Sequence, residues 1–155
     1  MVDLYKQITR EQYSRLIGKA AVLLSQLLPP KEGWIRTVRK AMGMSGSDLS
    51  KRLNNSRTGA AYLERAELDG RITVNKLKEA AEALNCRLVY GFVPNISIED
   101  SISQQAELKA RTLSDYADTQ MMLEAQSLTK QELEKEILRL KEKFIREMPR
   151  DLWKV

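Results

Sequence analysis

Arg57, Thr58, Ala61 and Tyr62 follow directly on Ser56, at spacings that place all four on one face of a helix beginning there. On such a face an arginine can donate two parallel hydrogen bonds to O6 and N7 of a guanine. A threonine meets a thymine methyl, and a tyrosine reaches a base or a phosphate. Ser45 and Ser47 at an earlier helix start, and Arg71 beyond the later helix, have the donors that phosphates take. This is the chemistry of reading a duplex. Chemistry that makes or breaks bonds is far harder to assemble. The chain contains no histidine, which removes Ser-His and Cys-His sites, histidine bases and nearly all transition-metal clusters. The one cysteine, Cys86, can form neither an intramolecular disulfide nor a zinc site, and reads as a small buried apolar residue. Carboxylate, lysine or tyrosine chemistry stays open, but no glycine-rich phosphate loop or paired-carboxylate spacing supports it. The expectation is no catalytic residue, no metal, no cofactor and no enzymatic activity.

The charge distribution agrees with that reading. The net charge is +5, and residues 33–92 carry 11 basic and 6 acidic groups, against 5 and 3 in residues 1–32 and 10 and 12 in residues 93–155. A basic middle flanked by less basic segments suits a polyanion-binding module with appendages. With 155 residues, 43% hydrophobic and 30% charged, one compact core plus extensions is expected. The longest apolar run, residues 20–24, is far short of a membrane span, and the start lacks a signal-peptide pattern. A cytoplasmic protein without a membrane partner is expected.

The elements that must position these residues are mostly short helices. Leu4, Ile8, Leu16, Ala20, Leu23, Leu24 and Leu27 give residues 3–28 an apolar helix face, ended by Pro29-Pro30. Helices are then expected over 34–42, 47–53, 57–66 and 74–84, with breaks at Gly43, Asn54-Asn55 and Asp69-Gly70 and caps at Ser45, Ser56 and Thr73. Leu49, Leu53 and Leu63 form the apolar wedge of a helix-turn-helix. Trp34 reads as an anchor between the N-terminal helix and this core. Residues 86–93 switch to period two, which predicts a strand stopped by Pro94-Asn95. A lone strand needs a partner, and the same strand of a second copy is the nearest one, so Leu88, Val89, Tyr90 and Phe92 are the expected dimerisation residues. Residues 97–126 and 130–147 read as two more helices. The second opens with a Thr129/Glu132 capping box and a Leu128/Leu133 staple. Its stripe of Leu133, Ile137, Leu140 and Phe144 is of the kind that usually packs on its own domain, but in so long a tail it is the expected face for a partner protein.

The stretch from Trp34 to Leu84 resembles the Cro- and lambda-repressor-like helix-turn-helix family, also called XRE. The residues that carry the likeness are Arg39, Gly43, Leu49, Arg52, Leu53, Ser56, Leu63, Glu64, Leu77, Ala80 and Leu84. Ser50 stands where a smaller residue is usual, and Asn54 replaces the turn glycine. Residues 33–36, 43–46, 69–73, 80–84 and 88–94, with the closing Leu152-Trp153, are similar to the mobile mystery protein A family over nearly the whole chain. The resemblance implies a mainly α protein: a lambda-repressor-like bundle over 33–95 with one short dimerising strand, and helical extensions over 1–32 and 96–155. It also implies an Arg39–Glu64 salt bridge of structural purpose. The implied function is a homodimeric, sequence-specific DNA-binding regulator of an inverted-repeat operator. It would be the antitoxin beside a Fic-domain toxin and the repressor of its own operon. The alternative is a toxin inhibitor that binds protein without sequence-specific DNA binding.

Overall fold

Helices of seven to ten residues are marginal alone, so the middle of this chain depends on caps and a shared core. In the computed structural model, which describes residues 2–123 and 128–154, four such helices follow one another: α2 (Trp34–Ala41), α3 (Gly46–Arg52), α4 (Gly59–Leu68) and α5 (Val74–Ala83). The long helix α1 (Val2–Leu24) precedes them, and α6 (Ile98–Leu123) and α7 (Lys130–Glu147) follow. The chain divides into two compact units, Leu23–Phe92 and the residues on either side of it. Residues up to Val22 and from Val93 on cluster as one unit, and residues 23–32 fall with the helix-turn-helix stretch.

In the Leu23–Phe92 unit the expected wedge is present. Leu49 and Leu63 are buried together with Ile35, Ala60, Ala80 and Leu84, and Leu53 packs against them. Asn54 takes the left-handed conformation (φ 52°) that the turn between α3 and α4 requires. Thr73 accepts from the Lys76 N–H at 3.2 Å and so caps α5.

In the other unit α6 and α7 pack together around Ala106, Ala110, Ile137, Phe144 and Leu152. The Thr129/Glu132 capping box opens α7 as its sequence requires. The α7 stripe is not a free face. Ile137 and Phe144 are buried, with Leu133 and Leu140 packed beside them, because Ala106 and Ala110 let α6 approach closely. The expectation that this stripe binds a partner protein is therefore corrected. After α7 the chain turns back so that Leu152 is fully buried. Lys109 holds that turn, donating to the Asp151 carbonyl at 2.6 Å and to its carboxylate at 2.8 Å.

Two further expectations are corrected. No strand forms among the described residues. Residues 86–93 alternate as a strand would, but a single such segment in a helical chain has no second segment to form a ladder with. Cys86, at the start of that segment, is exposed rather than buried.

Asp151 provides a test of the C-terminal turn. The hydrogen bond from Lys109 holds its carboxyl below the usual carboxylate range. The stability this contributes is complete above the ordinary carboxylate pKa and is lost as pH falls through the lowered value. Thermal melts of Asp151→Asn should show a lower midpoint than the wild type at pH 7, with the two curves converging in acid. Equal midpoints at neutral pH would mean that the turn does not rest on this ion pair.

Candidate nucleic-acid interface

The first turn of a helix has N–H groups without intrahelical acceptors, and something must satisfy them. At α4 the expected cap, Ser56, does not do so. Thr58 occupies the N-cap position without a side-chain bond to the helix, and the Ser56 hydroxyl lies 3.4 Å from that of Thr58. The acceptor comes from α3. The Ser50 hydroxyl, 1% exposed, accepts from the Ala60 N–H at 2.9 Å and donates to the Arg57 carbonyl at 3.3 Å. One side chain thus satisfies the start of α4 and holds the turn that carries Arg57. Gly59 permits the close approach this needs, since a Cβ there would lie 2.6 Å from the Cβ of Asn55.

The inner face of α4 is tied to α2. Arg39 Nε donates to Glu64 at 2.5 Å, and its Nη1 donates to the Met44 carbonyl at 2.9 Å. This is the expected structural pair. Glu67, one turn further on, caps α2 from outside. Its carboxylate accepts from the N–H groups of Trp34 at 2.7 Å and Ile35 at 3.0 Å. Gly33, at φ 80°, leaves room for that carboxylate, which a Cβ would meet at 2.8 Å. With its inner face so occupied, α4 leaves Arg57, Thr58, Ala61 and Tyr62 exposed at its front. Arg57 and Thr58 lie in the turn ahead of the helix rather than within it.

Beside this front runs an open groove of about 510 Å³, lined by Ser56, Thr58, Tyr62, Arg71 and Lys76 among others. Arg71 pairs with Asp69 at 2.5 Å and Lys76 with Glu79 at 2.6 Å, both at the surface. Exposed pairs of this kind are weak, so either cation can exchange its carboxylate for a phosphate at little cost. Ser47 is half-buried in the first turn of α3. Ser45 differs from expectation: its hydroxyl accepts from the Asp48 N–H at 3.1 Å, and its own N–H donates to the Asp48 carboxylate at 3.2 Å. The Ser45 hydroxyl holds the Asp48 carboxyl below its usual range, so a negative charge stands where a phosphate contact was expected.

Three residues of this region escaped the sequence reading. Ser50 and Glu67 act across the fold on helices to which they do not belong. Lys76 had a signal, since a cation in the first turn of a helix opposes the helix dipole and calls for an external anion.

Residues 35–90, spanning α2 to α5 and most of the segment after them, match the helix-turn-helix family model. That stretch is similar to helix-turn-helix domains of the XRE type. Such a domain is a DNA-binding regulatory module. No curated protein and no solved structure matches the chain. Among the described residues no helix of the protein is long and apolar enough to cross a membrane, and no cluster of side chains could hold a metal ion.

The Ser50 bond gives a direct test. Ser50→Ala should leave the protein folded but destabilised by about 1–3 kcal/mol, because the Ala60 N–H loses its acceptor in a buried site. Amide exchange at Ala60 should accelerate with it. Urea melts and exchange rates indistinguishable from the wild type would show that α4 is started by some other contact.

Proposed function

We propose that the protein is a sequence-specific, homodimeric transcriptional regulator that represses its own operon as the antitoxin of a pair with a Fic-domain toxin. The observation that carries the DNA-reading part is the exposed front of α4, set against the cationic groove of Arg71 and Lys76 in the net-basic stretch of the chain. In this reading Arg57 donates to a guanine and Thr58 and Tyr62 contact neighbouring bases, with Ala61 facing the groove floor. Ser47, Ser56, Arg71 and Lys76 hold the backbone. Leu88, Val89, Tyr90 and Phe92, all on the segment after α5, supply contacts to a second copy. Two copies related by a two-fold axis then match an inverted repeat.

The antitoxin part rests on the family resemblance together with one surface. Leu4, Ile8 and Leu16 on α1 are 61%, 45% and 64% exposed and form an apolar stripe. It replaces the buried α7 stripe as the face for a toxin. A second reading, a toxin inhibitor that does not read DNA sequence, draws on the same stripe. It predicts only weak binding to any duplex.

Fluorescence anisotropy on the protein's own promoter separates the two. Arg57→Ala should lower specific binding by about 1–3 kcal/mol and relax preference at one base pair. Lys76→Gln should weaken all sequences alike and reduce the slope of log K against log salt by about one. Equal, weak binding to promoter and random duplex would favour the pure inhibitor. The toxin surface has its own test: Ile8→Asp with Leu16→Asp should abolish co-purification with the co-expressed neighbouring Fic protein while leaving promoter binding intact. Retained capture would place the toxin elsewhere.

A further inference from the structure

The helix-turn-helix unit has a second groove, of about 510 Å³, that shares no lining residue with the basic one. Its walls are apolar, with Trp34, Val38, Leu77, Leu84 and Val89 among them. Its two charged residues, Glu67 and Arg87, have opposite sign, and Glu67 is already taken by the start of α2. Arg87 is the one group such a surface could offer a phosphate, and the rest of it is apolar. Its volume is in the range that encloses a drug-sized apolar body.

One wall is the segment after α5, which continues past the groove to Phe92. Phe92 is 85% exposed, more than any other large apolar side chain among the described residues, and Tyr90 and Val89 beside it are 69% and 66% exposed. The segment is held by side-chain packing rather than by a ladder. Leu24 lies so close over Gly91 that a Cβ there would be 2.5 Å from its Cδ1. An unfilled apolar groove and an uncovered aromatic projection therefore lie side by side on one unit.

We propose that the groove, whose wall includes Tyr90, is the seat for Phe92 of a second copy of the chain, exchanged reciprocally across a two-fold axis. This rests on the reading of the protein as a homodimer and names the contact that makes it one. A two-fold interface requires a single patch to contain both the projection and its receptor, and this patch does. The opposite charges of Glu67 and Arg87 let copy meet copy without an excess of like charge. A small apolar ligand would fill the groove but leave Phe92 in water.

Sedimentation equilibrium of the full chain tests this with two variants. Phe92→Asp removes the projection and keeps the groove, while Ala81→Trp plugs the groove and keeps the projection. Each alone removes both seats of the two-fold pair and should weaken dimerisation by about a thousandfold, the size of two interfacial hot spots of about thirtyfold each. An equimolar mixture should recover part of the loss as heterodimer, because one intact seat remains per pair. Cys86, the only cysteine in the sequence, also lines the groove and reports on unmodified protein. Its reaction with a thiol reagent should slow as wild-type protein is concentrated, and should not slow in Phe92→Asp. Variants that dimerise as tightly as the wild type, or a dimer whose Cys86 reacts at the monomer's rate, would overturn the seat while leaving the homodimer. A wild type that is monomeric in the tens of micromolar would overturn both.

Discussion

The hydroxyl of Ser50 decides where the exposed front of α4 points. It is buried, it comes from α3, and it bonds both ends of the step into α4: the Arg57 carbonyl before the helix and the Ala60 N–H within it. Arg57 and Thr58 lie outside the regular helix, so helical hydrogen bonding alone does not place them. Without an acceptor in that position the first turn of α4 would have to find water, which the buried site excludes. The Arg39–Glu64 pair fixes the same helix from its inner side. A half-buried pair of this kind is weak evidence for stability, and its value here is geometric. Glu67 then transmits the position of α4 to α2 by capping it.

Around that fixed helix the unit divides its surface by chemistry. The groove beside the front of α4 is polar and cationic, with its lysine and arginine held in exchangeable surface pairs. The groove bordered by the segment after α5 is apolar and nearly uncharged. They share no lining residue. The separate unit of α6, α7 and the chain ends is closed by its own core and by the Lys109–Asp151 turn.

Much of this was legible where the physical cause is local. Thr129 and Glu132 mark the start of α7, Thr73 marks that of α5, and the period of Leu49, Leu53 and Leu63 identifies the turn between α3 and α4. The Arg39–Glu64 pair was legible only through family likeness. What escaped were relations across the fold. Ser50 looked like a departure from a small residue because its partner is ten positions away, and Glu67 acts over 32 and 33 positions. Local pattern also misled. Ser56 has the type and place of a cap, but the chain takes another turn before the helix starts. The alternation of residues 86–93 suits a strand, yet forming one requires a neighbour that periodicity cannot supply. The α7 stripe looked available because nothing local announces that Ala106 and Ala110 would cover it.

The central claim is that α4, held by Ser50, reads base sequence through Arg57 and its neighbours. Selection of wild-type protein on a pool of random duplexes measures this most directly. The account predicts enrichment of an inverted repeat with a guanine at a fixed place in each half-site and half-site centres about 34 Å apart, or a multiple of that. A pool that survives selection with no shared motif would contradict it.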